Sequence, residues 1–281
     1  MFHLNALKNM TGLARAVTIA VAAFAVWAPN AVAREGVQVG EASGFSKLVP
    51  ADQVERQAAL QYRETLAEAA KQQALAPADN AQLKRLREIA QKIIPFANEW
   101  NPRVSQWKWE INLIGSNQIN AYCMPGGKIV FYTGIIKTLN LSDDEIAVVM
   151  GHEMAHALRE HARAQMGKGS ATSLGLRIGA ALLGLGQVGD IAADLGTQLL
   201  SLQFSRSDET EADLVGLELA ARGAFQPNAS VTLWQKMAAA SGGAASMSFL
   251  STHPSSPDRI KTLQRNVPKV QGLFEQARAA G

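Results

Sequence analysis

The sequence has little cysteine and little excess charge. Its 281 residues include one cysteine, Cys123, so no disulfide can form within the chain and the hydrophobic core must hold the fold. The formal net charge is +3, and two of the 27 basic residues, Lys8 and Arg15, lie in the first 33 positions, which contain no acid. The rest is nearly balanced by 24 acidic residues, which gives no electrostatic case for a nucleic-acid partner.

Long hydrophobic runs are also missing at the N-terminus, since a membrane-spanning helix needs about 20 apolar residues. The run Ala16–Ala28 has thirteen residues; it follows a basic start and precedes the small-residue cleavage pattern Ala31-Val32-Ala33. Residues 1–33 are therefore predicted to be a signal peptide that is cleaved on export, with an uncleaved anchor as the alternative. No cysteine lies near the cleavage point, so a lipid-modified N-terminus is not expected.

A second apolar region, residues 167–200, is rich in Gly, Ala and Leu. Arg177, Asp190 and Asp194 interrupt it, and its charge-free piece Ile178–Val188 has only eleven residues, too few to cross a bilayer as a helix. We predict a hydrophobic helical insert that packs on the domain as a hairpin. A lid or a membrane-touching element is the alternative.

Two helices are predicted near the start of the exported chain. Residues 34–50 show no period and are expected to form an extended lead-in to a single domain, residues 51–281. A helical pattern runs from Ala51 to about Leu75, and a second one runs from about Asn80 to Ile94, where Pro95 is expected to end it.

The next part of the chain predicts a small sheet. Alternating polarity around residues 106–113 indicates one strand, and Ile119–Tyr122 and Lys128–Tyr132 form a strand pair separated by Met124-Pro125-Gly126-Gly127. Everything after Gly134 indicates helix and loop. Two helices, a small sheet and a helical majority predict an α+β fold.

The strongest functional signal is His152-Glu153-Met154-Ala155-His156. It follows a capping-box pattern at Ser142 and Glu145 and apolar residues at helical spacing, which predict a buried helix. Four residues rotate by about 400°, so His152 and His156 point the same way and can bind one metal ion. Glu153 lies about 100° away and can meet a metal-bound water. The alternative is two core histidines with Glu153 in a salt bridge.

A catalytic zinc ion usually has a third protein ligand. The candidates are the acids of residues 205–213, where Glu209 and Asp213 share a helix face and Glu211 lies about 200° from Glu209. Spacing alone leaves both Glu209 and Glu211 open, and a solvated, charged helix end is the alternative for the whole cluster. His161, about 140° around the helix from His156, is predicted to be a surface residue and not a ligand.

Four stretches of the chain together resemble one family of zinc metallopeptidases, which includes HtpX, the CAAX prenyl protease and the periplasmic proteases BepA and LoiP. The stretches are Asn120–Gly127, Gly151–His156, Ser205-Arg206 with Glu209–Asp213, and Ser251–Pro254 with Arg259-Ile260. The resemblance implies a mostly helical, gluzincin-type metallopeptidase domain with one zinc ion and a small antiparallel-edged sheet. Unlike those relatives, this sequence shows no membrane helices, no tetratricopeptide tail and no lipid-attachment cysteine, so a soluble, exported branch is expected.

By position, the resemblance implies that His152, His156 and Glu209 are the zinc ligands. It implies that Asp213 supports a ligating histidine, which agrees with the face that Asp213 shares with Glu209. His253 belongs to the last motif and is expected to stabilise the oxyanion or to fill the fourth zinc position. The alternative for His253 is a histidine that ties down its loop.

The resemblance also implies a substrate site. Asn120, Ala121 and Tyr122 match the edge strand of the cleft, where an extended polypeptide would pair through its backbone. In the expected mechanism, Glu153 takes a proton from the zinc-bound water as that water attacks the scissile carbonyl.

These inferences predict a zinc endopeptidase for unfolded or misassembled polypeptides of the cell envelope, among them outer-membrane proteins. The expected location is the periplasm, with peripheral membrane contact as an alternative. Two other functions stay open. One is a metal-bearing chaperone or assembly factor for outer-membrane proteins with little or no proteolysis, and the other is a small-peptide hydrolase whose cleft is closed by the apolar insert.

Overall fold

A computed structural model of the protein describes residues 34–169, 199, 202–240, 248–254 and 256–281. The predicted signal peptide and most of the predicted hydrophobic insert lie outside the described residues. In the described part of the chain, no helix combines the length and the apolar character that crossing a membrane requires.

Two helices precede the sheet, as predicted, with small differences at their ends. Helix α1 (Ala51–Lys71) stops before Leu75 because Gln73 adopts a positive φ of 55°, which a right-handed helix does not accommodate. Helix α2 (Ala81–Ile93) is capped by Asn80, whose side chain accepts hydrogen bonds from two backbone amides of the first turn. The α-helix ends at Ile93, one residue before the predicted end at Ile94, and the 3-10 helix Ile94–Glu99 follows with Pro95 in its first turn.

The predicted lead-in and the predicted first strand are also partly helical. Residues 34–50 were expected to be extended, but Gly44–Leu48 form a 3-10 helix. The alternating segment begins as a strand only at Glu110, because Pro102–Gln106 form a further 3-10 helix that Asn101 caps. The strand predicted from the alternation of apolar and polar residues therefore began four residues too early.

The sheet has three described strands: β1 (Glu110–Ile114), β2 (Ala121–Met124) and β3 (Lys128–Tyr132). Their order is β1-β3-β2, with β1 parallel to β3 and β2 antiparallel to it. Gly126 and Gly127 both have positive φ in the turn between β2 and β3, a conformation that glycine adopts without strain. The strand order places β2, which is antiparallel to β3, at one edge of this sheet.

Helices make up the described chain after the sheet, and the α+β prediction is confirmed. They are α3 (Thr133–Thr138), α4 (Asp143–Leu158), α5 (His161–Gly169), α6 (Arg206–Arg222), α7 (Ala229–Ala240), α8 (Ser248–Thr252) and α9 (Pro257–Ala280).

The two faces of the sheet pack against different helices. Tyr62 of α1 packs with Met124 and Val130 on one face, and Ile129 and Phe131 face the main core around α4 on the other. This core buries α4 between the sheet and the C-terminal helices.

Helices α4 and α6 approach each other closely at a pair of glycines. A Cβ atom on Gly151 would lie 2.7 Å from the carbonyl oxygen of Gly216, and one on Gly216 would lie 2.6 Å from the backbone nitrogen of His152. Since such distances are too short for real side chains, both positions need glycine. The crossing therefore holds His152 directly against α6.

Candidate metal centre

Helix α4 carries the histidine motif and begins as the sequence predicts. The Glu145 amide donates to Ser142 Oγ over 3.2 Å, and the Ser142 amide donates to Glu145 Oε2 over 2.9 Å, which completes the capping box. Every residue from Glu145 to Leu158 is buried. The motif thus lies in the buried part of α4, where polar side chains are costly unless they have partners.

Four side chains converge beside α4: His152, His156, Glu209 and His253. One ligand atom from each lies within 4.8 Å of the others, and all four residues are buried. The Nε2 atom of His156 lies 3.2 Å from Nε2 of His152 and 3.5 Å from Glu209 Oε1. Imidazole nitrogens and a carboxylate are the donors that zinc takes in catalytic sites, so this donor set fits a zinc ion.

The structure separates the two acids that spacing left open. Glu209 lies in the cluster, with its Oε2 3.6 Å from His152 Nε2. Glu211 faces away from the cluster and contacts Arg159 and His161 instead. Glu209 is therefore the acid that could complete the ligand set.

His253 is brought in by the end of α8. Its Nδ1 lies 2.9 Å from Glu209 Oε1 and 3.3 Å from His152 Nε2, and its Nε2 lies 3.6 Å from Glu153 Oε1. Burial opposes protonation of this ring, but the two glutamates outweigh it and raise the pKa of His253. The ring is thus part of the cluster and does not only anchor its loop.

Glu153 has the environment of a proton acceptor. Its Oε1 is buried and has no hydrogen-bond partner among the described residues, and the residue lines the cleft beside the cluster. Burial raises the pKa of Glu153, against the opposing effect of His253 and His152. A carboxylate held in this way can accept a proton from a water molecule in the cleft.

Asp213 lies behind His152, as predicted for a supporting acid. Its Oδ1 is 3.1 Å from His152 Nδ1, a close contact in which the ring N–H is not well aligned for a hydrogen bond. Both carboxylate oxygens accept hydrogen bonds of 2.7 Å from Arg259, and Oδ1 also accepts one of 3.2 Å from Trp234 Nε1. Burial opposes ionisation, but Arg259 outweighs it and lowers the pKa of Asp213 to about 2.

Arg259 is a residue whose role the sequence did not reveal. Its Nη1 lies 2.7 Å from Glu209 Oε2, as an ionic contact, and its guanidinium group lies 3.6 Å from the ring centroid of Trp234. It therefore connects the supporting acid to the acid of the cluster. In the sequence, the only signal was its place in the last motif, because an arginine in the first turn of a helix normally faces solvent.

The surface position predicted for His161 is wrong, since only 3% of the residue is exposed. The prediction assumed that one helix continues from His156 to His161. Instead, α4 ends at Leu158, and Glu160 adopts a positive φ of 57° before α5 begins at His161. The chain turns back, and His161 Nδ1 comes to lie 3.0 Å from His156 Nδ1. Within the described chain, His161 stays outside the cluster that could hold a metal.

A cleft opens beside the cluster, and strand β2 forms part of its wall. Asn120, Ala121 and Tyr122 all line this cleft, although the strand begins one residue later than Asn120 and extends to Met124. On the other side, the Phe204 ring stacks on His156 with centroids 3.9 Å apart. The cleft thus joins an edge strand to the cluster.

Two histidines and a glutamate lie on one buried helix, and a second glutamate comes from a helix about 50 residues later in the sequence. This combination defines a metallopeptidase-type domain. Residues 80–267 match the model of peptidase family M48. The chain belongs to this family of zinc metallopeptidases, which confirms the resemblance noted from its motifs.

Relatives of the chain include mitochondrial and bacterial proteases. The mitochondrial metalloendopeptidase OMA1 of Schizosaccharomyces pombe is 38% identical over 170 residues, which cover 60% of this chain and 49% of that protein. The metalloprotease LoiP of Escherichia coli is 30% identical over 197 residues, 68% of this chain and 72% of LoiP. The β-barrel assembly-enhancing protease of Yersinia pestis is 30% identical over 158 residues, 53% of this chain and 32% of that protein.

The length covered differs among these relatives. The match covers 49% of OMA1 from Schizosaccharomyces pombe and 62% of OMA1 from Saccharomyces cerevisiae, less than two thirds of each. The four residues of the cluster lie within the segment that matches the family model.

Proposed function

We propose that this protein is a zinc-dependent endopeptidase that cleaves unfolded or misassembled polypeptides in the cell envelope. The observation that carries the proposal is the convergence of His152, His156 and Glu209 next to Glu153, whose Oε1 accepts no hydrogen bond from the described residues and which lines the adjacent cleft. Membership of family M48 supports peptide-bond hydrolysis, and so do the names of the relatives, metalloendopeptidase and metalloprotease.

In the proposed mechanism, His152, His156 and Glu209 hold the zinc ion. When bound, zinc supplies a positive charge that acidifies a water molecule and polarises the scissile carbonyl. Glu153 accepts the water proton at Oε1, which has no hydrogen bond within the described chain, and passes it to the leaving amine. Asp213 orients the ring of His152 from behind, because its carboxylate is itself fixed by Arg259.

The substrate is proposed to bind as an extended chain along strand β2. An edge strand offers unpaired backbone groups, and binding through backbone hydrogen bonds depends little on the side chains of the substrate. Ala121 and Tyr122 lie in this strand and line the cleft. This arrangement suits unfolded polypeptides. The name of the β-barrel assembly-enhancing protease supports outer-membrane proteins as one class of substrate.

Export to the periplasm is part of the proposal and rests on the N-terminal sequence. Lys8 and Arg15, the apolar run Ala16–Ala28 and the small residues up to Ala33 match a signal peptide. Expression of the full chain in a bacterium with an outer membrane, followed by fractionation and N-terminal sequencing, tests this part. A mature protein that begins at Arg34 in the periplasmic fraction is expected, and an intact N-terminus would indicate a retained anchor instead.

For His253 we propose the fourth position around the metal, where the ring blocks the site until substrate displaces it. Its contacts to Glu209 and His152 support this role over a role at the oxyanion. His253→Ala is then expected to raise the initial rate of cleavage of a short peptide substrate held well below saturation, because the ring no longer competes with the substrate. A lower rate with unchanged zinc content would favour oxyanion stabilisation.

The central experiment uses the purified mature chain. Zinc is measured by mass spectrometry, and the protein is then incubated with a reduced and alkylated, permanently unfolded test protein. One zinc ion per chain is expected, with internal fragments that disappear on chelation and return when zinc is added. Suppressed aggregation without fragments would support the chaperone alternative, and hydrolysis limited to short peptides would support the small-peptide hydrolase.

A further inference from the structure

Two side chains, the buried His161 and the partly exposed Glu211, lie behind His156 and have no part in the proposed mechanism. His161 Nδ1 is 3.0 Å from His156 Nδ1, and His161 Nε2 is 3.0 Å from Glu211 Oε2. The His161 side chain is 2% exposed and that of Glu211 is 20% exposed. Two imidazoles and a carboxylate therefore form a continuous chain of polar contacts that starts at a proposed metal ligand.

The directions of these contacts allow one arrangement of protons when His156 binds a metal. His156 offers Nε2 to the cluster, so its neutral ring must carry its hydrogen on Nδ1. Nδ1–H then donates to Nδ1 of His161, which must be the unprotonated nitrogen of that ring. The remaining hydrogen of His161 is on Nε2 and donates to the Glu211 carboxylate.

Glu211 is itself held in place. Its Oε1 accepts a hydrogen bond of 2.6 Å from Arg159 Nε, and Arg159 also donates to the backbone carbonyl of Gly40. The arrangement resembles the one behind His152, where Arg259 fixes the Asp213 carboxylate. The two histidines of the motif thus each have an acid behind them that an arginine anchors, directly for His152 and through a second imidazole for His156.

We propose that His161 and Glu211 are positioning residues that fix the tautomer and the ring orientation of His156 for zinc binding. The proposal rests on the proposed function, in which His156 is a zinc ligand. Outer partners of this kind raise the metal affinity of a site by about 10–100-fold, because they hold the ligand in its binding geometry.

A role in packing alone makes a different prediction, which two substitutions can separate. His161→Phe keeps a ring in the buried space but removes the acceptor for His156 Nδ1–H. His161→Asn keeps an acceptor oxygen near the place of Nδ1 but leaves space that the ring filled and loses the contact to Glu211. A packing role makes the Asn variant the worse of the two, whereas a positioning role makes the Phe variant worse.

The experiment measures zinc affinity of the full mature chain, prepared without metal, by competition with a chromophoric zinc chelator. His161→Phe is expected to weaken zinc binding by about 10–100-fold, and His161→Asn and Glu211→Gln by less. Glu64→Gln, which removes the charge of an exposed acid on α1, is the matched control and should bind zinc as the unchanged chain does. Thermal unfolding without zinc shows how far each variant is destabilised.

The outcomes separate the two proposals. Weaker zinc binding in the Phe variant than in the Asn variant supports positioning by His161. Equal binding in all variants, or weaker binding in the Asn variant, overturns it while leaving the proposed function intact. If the unchanged chain binds no zinc, the proposed function fails and the positioning role fails with it.

Discussion

Helices α4 and α6 meet in the same site but contribute to it in different ways. Both begin with a serine capping box, and both are largely buried. On α4, the residues of the motif follow one local spacing, and the two histidines face the same point. On α6, three acids at alternate positions are held by side chains from other segments, and Arg259 contacts two of them.

The partners of the α6 acids lie in different parts of the chain. Glu209 faces the histidine cluster, Glu211 faces His161, and Asp213 faces Arg259 of α9. In the proposed function, α4 supplies groups that act on metal and water, whereas α6 supplies the ligand Glu209 and two acids that hold other side chains in place. A change at Glu153 of α4 should therefore affect catalysis with the fold and the metal retained, and changes around α6 should affect metal binding and stability.

The largest effect is expected at Glu153 of α4. Glu153→Gln removes the proton acceptor but keeps the size of the side chain, so cleavage should fall by at least about 10²–10⁴-fold while zinc content is unchanged. Initial rates on an unfolded substrate, with zinc measured by mass spectrometry on the same sample, test this. Cleavage at the original rate would remove Glu153 from the mechanism.

Next in size is the buried ion pair that supports α6. Arg259→Leu leaves the carboxylates of Asp213 and Glu209 buried without their cation, so the free energy of unfolding should fall by about 3–5 kcal/mol in urea titrations. Arg56→Leu, which breaks an exposed pair with Asp52 on α1, is the control and should change little. Similar losses in both variants would contradict the comparison.

The pair with Arg259 also sets a pH dependence. Since the pKa of Asp213 is lowered from 3.8 to about 2, the stabilisation from its charge is complete above the ordinary carboxyl pKa and is lost as the pH falls towards 2. The difference in the free energy of unfolding between the unchanged chain and Arg259→Leu, measured in urea titrations followed by circular dichroism, should therefore be largest above the ordinary carboxyl pKa and should shrink as the pH falls towards 2.

A smaller effect is expected when the supporting acid itself is removed. Asp213→Ala should weaken zinc binding by about 10–100-fold, because His152 loses the acid that orients its ring. Chelator titration measures this, with the exposed Asp79→Ala as the control. Zinc affinity equal to that of the control would show that Arg259 and Trp234 hold the site without Asp213.

The smallest effect is expected at the start of α6. Ser205→Ala removes the hydrogen bond from the Asp208 amide to Ser205 Oγ and should lower the free energy of unfolding by about 1 kcal/mol. Ser142→Ala makes the same change at the start of α4 and allows a direct comparison. A loss of zinc binding after Ser205→Ala, without a loss of stability, would mean that the cap places Glu209 more strictly than the packing of α6 does.

The parts of the fold that follow a local period could be predicted from the sequence. The buried stripe of α2, the capping box of α4 and the order of helices and strands all follow from such patterns. Errors occurred where a local pattern was continued past a break in the backbone. The positive φ of Gln73 ends α1 early, and that of Glu160 turns His161 into the interior.

In the candidate site, too, some features follow from local spacing and others depend on how the helices pack. The shared direction of His152 and His156 follows from helical rotation within one segment. The choice of Glu209 over Glu211 as the acid of the cluster does not follow from spacing, because it depends on how α6 is rotated against α4 at the glycine crossing.

By itself, the sequence determined the helical motif that points two imidazoles at one ion, since that depends only on residues a turn apart. Only the tertiary structure decided which distant side chains surround that motif: Glu209 and His253 at the cluster, Arg259 beneath it, and His161 with Glu211 behind it. The physical reason is that these contacts join helices whose relative placement is set by packing of the whole core, which no local period records.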